Sequence, residues 1–211
     1  MINYAATHLS LLLKMTLEHL QIVSTAMSIA MVLASILTVV LLRFSRFQQV
    51  SGYLLSICYA IPSFALFALL IPLTGLGKTT AIIVLVFYAQ YVLVRSFLSG
   101  IQEVDPSVTE AALGMGMTRG QILRKIQLPL AIPGMMAGIK VATTSTIAIT
   151  TIGATINAGG LGMILFDGLR TLSIVKLSWG IFLTVGLSIL FMLILDMIEE
   201  LLTTKYAPIK S

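Results

Sequence analysis

Long uncharged apolar runs limit this chain more than any other feature. "STAMSIAMVLASILTVVLL" (Ser24 to Leu42) and "SWGIFLTVGLSILFMLIL" (Ser178 to Leu195) contain no charged residue. An α-helix rises about 1.5 Å per residue, so roughly 20 apolar residues cross a bilayer core about 30 Å thick. Strands of a membrane barrel would instead alternate in polarity over about ten residues. These runs do not alternate, so helical spans are expected. Charge is too sparse for the alternative of a soluble core: 58% of the 211 residues are hydrophobic and 10% are charged, whereas a soluble domain carries about 25% charged residues. Mean hydropathy is +1.04. The expectation is an all-α membrane protein.

Five spans are predicted, over about 21–42, 51–73, 79–98, 130–156 and 177–198. Pro62 lies near the middle of the second. It removes a backbone hydrogen bond and predicts a helix kink. Residues 1–19 mix apolar and polar positions and read as an interfacial helix on the outer face. Residues 163–176 are only moderately apolar and read as an interfacial or re-entrant piece; 200–211 form a polar tail. No basic n-region precedes the first run, so no cleavable signal is expected.

The net charge of +5 has two readings, a nucleic-acid surface or positive cytoplasmic loops. Distribution separates them. With five spans, Arg43, Arg46, Arg95, Arg119, Arg124, Lys125, Lys140, Lys205 and Lys210 fall on one side. Lys14, Lys78, Arg170 and Lys176 fall on the other. The positive-inside rule then places the N-terminus outside and the C-terminus in the cytoplasm. No nucleic-acid partner is expected.

Between the third and fourth runs lies "EAALGMGMTRGQILRKIQLPLAIPG", Glu110 to Gly134. Asp105-Pro106 is a helix-start pair. Ser107 and Glu110 offer an alternative capping box, and Thr118 with Gln121 makes another. Gly114 and Gly116 break the first short helix; Leu128-Pro129 ends the second. A connection needs only a few residues; loops of about thirty are usually functional or disordered, and two capped helices argue against disorder. Docking on anionic lipid, padding of the bundle and docking in a groove of a cytoplasmic protein all fit this pattern.

At these residues the chain resembles the permeases of binding-protein-dependent ABC importers. Their cytoplasmic signature is met by Glu110-Ala111-Ala112, Gly116, Ile126, Leu128 and Pro129, seven positions across twenty residues. "VDPSVTEAALGMGMT", "LPLAIPGMMAGIKVA" and "AGGLGMILFDGL" are similar to the osmoprotectant branch, which imports glycine betaine, carnitine and choline. The resemblance implies a type I ABC importer permease fold over 20–199, with cytoplasmic coupling helices between spans 3 and 4. It implies that Glu110 and Gly116 sit where a cytoplasmic ABC ATPase dimer docks. It further implies a second permease subunit, identical or homologous, and an external solute-binding protein. ATP and Mg would belong to the ATPase, and the subunit itself would hold no cofactor and no metal. Surrounding membrane lipid is the remaining partner. Import of another small solute such as methionine, or a channel or scaffold that docks a partner, are the competing functions.

Other residues carry two readings. Thr143, Ser145, Thr150 and Thr151 would line a polar translocation path, or satisfy their own helix backbone. Lys140 is expected to snorkel to the cytoplasmic interface. Gly134 and Gly138 allow close helix approach. "AGGLG" (Ala158 to Gly162) lacks the Lys-Ser/Thr of a phosphate loop and reads as a turn where helices cross. Cys58 reads as a packing residue. His8 and His19 are expected before the first span, with no catalytic or zinc-ligand spacing.

Overall fold

A computed structural model of the chain describes residues 2–204. Met1 and residues 205–211, including Lys205, Lys210 and most of the expected tail, lie outside the described residues. The described residues are helical throughout, without strands: α1 (Ile2–Arg43), α2 (Gln48–Ala60), α3 (Ser63–Thr74), α4 (Lys78–Gln102), α5 (Pro106–Gly114), α6 (Arg119–Ile122), α7 (Leu128–Gly153), α8 (Gly162–Arg170) and α9 (Ile174–Thr204). Four runs are long and apolar enough to cross a membrane; α2 with α3 makes a fifth if that bent pair counts as one span.

The first helix begins at Ile2, not near Gln21, with one non-helical residue at His8. The reason is periodicity. Leu12, Met15, His19, Ile22, Val23, Ala26, Met27 and Ala30 are all buried, and they continue one helical stripe across the expected boundary. His19 is therefore inside the bundle and not ahead of it.

At Pro62 the chain does more than kink. Ile61 (ψ 130°) and Pro62 (ψ 129°) are both extended, as the proline ring demands of its predecessor. The two helices meet at 91°. Ile61 O, freed by the break, accepts the Tyr88 hydroxyl from α4. Phe67 and Leu66 of α3 then pack on Ala81, Val84, Leu85 and Tyr88.

α4 is the centre of the bundle, packed against α1, α2, α3 and α7. Its seam with α7 depends on small residues. A Cβ at Gly134 would lie 3.2 Å from Gly100 Cα, and one at Gly138 would overlap Ser96 Cβ. α9 is the opposite case. Only Gly180 and Leu187 of its 31 residues are buried, and its many exposed leucines and isoleucines leave an uncovered apolar surface. Asp167 ties the α8–α9 turn through Lys176 Nζ at 2.6 Å and Arg170 Nη2 at 3.0 Å.

Pro129 does not end a helix. From Arg119 to Ile156 the chain is one helical run of 38 residues. Residues Leu123–Gln127 form a π turn in which Leu128 N–H donates to Leu123 O, five residues back. The extra residue in the turn moves the ladder out of step just where Pro129 has no N–H and its ring would strike a carbonyl four residues back.

Candidate functional site

The loop between α4 and α7 is built by caps. Asp105 Oδ1 accepts Ser107 N–H at 2.8 Å, and Pro106 takes the first helical position. The Ser107–Glu110 box does not form; Asp105 has the place. That hydrogen bond, with the Ser107 hydroxyl, holds the Asp105 carboxyl below the ordinary aspartate value of 3.8. α5 stops at a Schellman turn. Gly116 N–H donates to Leu113 O at 2.9 Å, and Met117 N–H to Ala112 O at 3.1 Å. Such a turn needs a left-handed residue after the helix, and Gly116 supplies φ +82°. Gly114, by contrast, is an ordinary last helical residue. α6 opens with a complete capping box. Thr118 N–H donates to Gln121 Oε1 at 2.8 Å, and Gln121 N–H to Thr118 Oγ1 at 3.3 Å.

The signature residues divide by direction. Ala112 is fully buried and Ile122 beside it nearly so; Ile126, Leu128 and Pro129 are half-buried where α6 runs into α7. Glu110, Ala111 and Gly116 are exposed. Leu113 (52% exposed) and Met115 (75%) flank them, and Arg119, Arg124 and Lys125 are exposed on the same loop. The loop thus roots itself by one face and leaves an apolar, basic face uncovered.

Comparisons with known proteins fit this geometry. The family described as "Binding-protein-dependent transport system inner membrane component" matches residues 16–207. The chain belongs to that family.

Among its relatives, the choline transport system permease protein OpuBB of Bacillus subtilis is 36% identical over 80% of this chain and 78% of its own length. The osmoprotectant import permease protein OsmW of Salmonella typhimurium is 31% identical over 97% of both chains. A solved subunit of the MetNI methionine ABC transporter in an inward-facing conformation superposes with a TM-score of 0.84 at 23% identity, covering 93% of this chain and 98% of that one. The fold is that of a type I importer permease, and the protein is a multi-pass membrane protein.

Within this permease the threonine cluster does not form one wall. Thr143 and Thr150 are buried, and their hydroxyls donate to Ile139 O (2.8 Å) and Thr146 O (2.7 Å) of their own helix. Thr151 donates to Ala148 O at 2.7 Å. Ser145 and Thr151 are half-buried. Lys140 does not snorkel into solvent. Its Nζ lies 2.5 Å from Asp196 and 2.6 Å from Glu199 on α9, which joins α9 to α7 by an ion triad.

Two side chains at the far end of the bundle, Glu18 and His19, have roles that escape a sequence reading. His19, fully buried, accepts Leu161 N–H on Nδ1 at 3.3 Å and faces Ile147 O from Nε2 at 3.2 Å. With Nδ1 accepting, the proton sits on Nε2 and donates to Ile147 O. Glu18 Oε2 accepts Gly160 N–H at 3.2 Å. Gly160 has φ +77°, and a Cβ there would lie 3.1 Å from His19 Nδ1. "AGGLG" is therefore a turn clamped by α1. Its glycines announce the turn, but nothing in the sequence names residues 142 positions away as its partners. No group of three or more metal-ligating side chains occurs among the described residues.

Proposed function

We propose that this chain is the transmembrane subunit of an ATP-driven importer. It forms the translocation path for a small quaternary ammonium osmoprotectant: glycine betaine, carnitine or choline. The observation that carries the reading is the loop from Asp105 to Gln127, with its capped helices, its Schellman corner at Gly116 and its uncovered apolar and basic face. Such a face fits a groove in a protein partner. The partner is a cytoplasmic ABC ATPase dimer, which holds ATP and Mg; this subunit itself is not the enzyme. Glu110, Ala111 and Gly116 meet the ATPase, while Ala112, Ile126, Leu128 and Pro129 root the loop. ATP binding closes the ATPase dimer and rocks this permease against a second, identical or homologous one, because a ligand shifts only states it binds differently. An external solute-binding protein delivers the cargo. The cargo class is supported by relatives such as OpuBB and OsmW, whose names give choline and osmoprotectants. The likeness to the methionine transporter, at 23% identity, supports the fold and not its cargo. Nine of the thirteen Lys and Arg residues fall on the loop side, which supports a cytoplasmic loop and C-terminus and an external N-terminus in the cell membrane.

The test is uptake of glycine betaine by membranes holding this chain, the ATPase and the binding protein. Uptake requires all three and ATP; ATP-independent flux would favour a channel. Gly116→Trp abolishes uptake and ATPase association while the protein still accumulates. Unchanged uptake and association would overturn the coupling role. A cysteine replacing Thr118 reacts with impermeant thiol reagents only from the cytoplasmic side; labelling from outside would reverse the orientation.

A further inference from the structure

α2 and α4 diverge around a groove of about 620 Å³. Its lining is unlike the exposed apolar surface of α9. Gln48 and Ser56 come from α2, and Tyr91, Arg95, Ser99 and Gln102 from α4. Polar groups at membrane depth face water-filled space or protein, since hydrocarbon satisfies none of them. Gln102 Nε2 donates to Gln48 Oε1 at 3.0 Å and bridges the two walls next to the loop.

Arg95 is the unusual member. It lies about 25 Å along α4 from Lys78 at ~1.5 Å per residue. Lys140 on α7 and Lys176 on α9 both have carboxylate partners. Arg95 has none among the described residues. Its Nη1 donates to Tyr91 Oη at 2.7 Å, and its Cζ lies 5.9 Å from that ring's centroid. Glu103, farther along the chain, instead accepts the Ser99 hydroxyl at 2.8 Å. Tyr91 is held in turn by Tyr59, with ring centroids 4.8 Å apart. On the α2 wall Tyr53, 65% exposed, also lines the groove. One groove thus offers an unneutralised guanidinium fork and an open aromatic face.

These two groups select for a ligand with two ends. A guanidinium fork pairs with a carboxylate, and an aromatic face attracts a quaternary ammonium. A solute with both gains both contacts. A purely cationic solute gains the ring alone and is repelled by Arg95. We infer that the α2–α4 groove binds zwitterionic quaternary ammonium cargo during transport, with Arg95 holding the carboxylate and Tyr53 the trimethylammonium end, so that the permease itself favours glycine betaine over choline. This rests on the function proposed above and adds a site and a discrimination to it.

The test uses the complete transporter in proteoliposomes. Maximal uptake rates are measured with the binding protein saturated by glycine betaine or by choline, so that selection by the binding protein cancels. In Arg95→Gln the ratio of the glycine betaine rate to the choline rate falls about 10-fold or more, the loss expected for a hydrogen bond to a charged group. Arg95→Lys restores part of the ratio. A purely structural role would lower both rates together and leave the ratio unchanged; that result overturns the proposal. If Arg95→Gln does not accumulate, Tyr53→Ala carries the test. It lowers both rates while Tyr53→Phe keeps them, because both solutes present the trimethylammonium group to the ring; equal rates in Tyr53→Ala and Tyr53→Phe overturn the site. A wild-type complex that moves neither solute overturns the underlying function as well. Wild-type uptake with an unaltered ratio in Arg95→Gln overturns this inference alone.

Discussion

Glycine is used in opposite ways at the α4–α7 seam and in the loop that joins the same two helices. At the seam, Gly100, Gly134 and Gly138 have ordinary helical backbones and no spare room; any Cβ would press on the facing helix. In the loop, nothing lies within 4 Å of where a Gly116 Cβ would be, but the backbone is left-handed at φ +82°. The seam needs the absence of a side chain, the corner the absence of a conformational penalty. The seam is where the subunit holds together. The corner is local and exposed, so it can be altered while the bundle stays folded.

Substitutions can break that contrast or sharpen it. The largest effect belongs to Gly138→Val, which forces α7 off Ser96 and costs about 3 kcal/mol or more by overpacking. Monodisperse protein on fluorescence-detected size exclusion is nearly lost, and Gly138→Ala combined with Ser96→Gly recovers it. Next comes Gly116→Val, which costs about 1–3 kcal/mol of backbone strain confined to the loop. Its size-exclusion peak is retained while ATP-driven uptake is lost. A lost peak would erase the distinction between the two glycines. Lys140→Met leaves Asp196 and Glu199 facing each other; it keeps its size-exclusion peak but lowers the melting temperature, and adding Asp196→Asn and Glu199→Gln reverses the loss. Thr118→Ala removes half of the capping box, at about 1 kcal/mol. Hydrogen exchange at Gln121 then quickens about five-fold, with no change at the seam.

The smallest effect is one of pH. The Asp105 carboxyl is held below its ordinary value of 3.8 by the Ser107 N–H and hydroxyl. Its contribution to the α5 cap is complete above that value and disappears as pH falls through the depressed one. Exchange protection at Ser107 is therefore flat from pH 7 to about 5 and declines only below about 4.

The spans and caps were legible because they are local. Apolar run length signals a membrane-crossing helix but not where it begins, as the starts at Ile2 and Arg119 show; Asp105-Pro106 and Thr118-x-x-Gln121 fix helix starts within four residues. The EAA spacing was legible as a pattern, though not which of its members turn inward. The buried Ala112 and the exposed Glu110 differ only by their position around one helical turn. What could not be read is what depends on register between distant helices. Lys140 finds Asp196 and Glu199 some sixty residues away, and His19 finds Leu161 from across the bundle. The π turn escaped too. A proline after Leu128 signals a helix end by its own chemistry, and only the five-residue detour at Leu123–Gln127 lets the helix pass through it.

That detour has a mechanical consequence. Since Arg119 to Ile156 is one continuous run, the part of the loop beyond Gly116 is the protruding handle of the fourth span. At about 1.5 Å per residue the shaft is roughly 57 Å long, so pivoting it by ~1° about one tip carries the other through ~1 Å. A displacement of ~1 Å at Thr118 would in this way tilt the whole shaft by ~1° against the Gly159–Gly160 clamp at its far end.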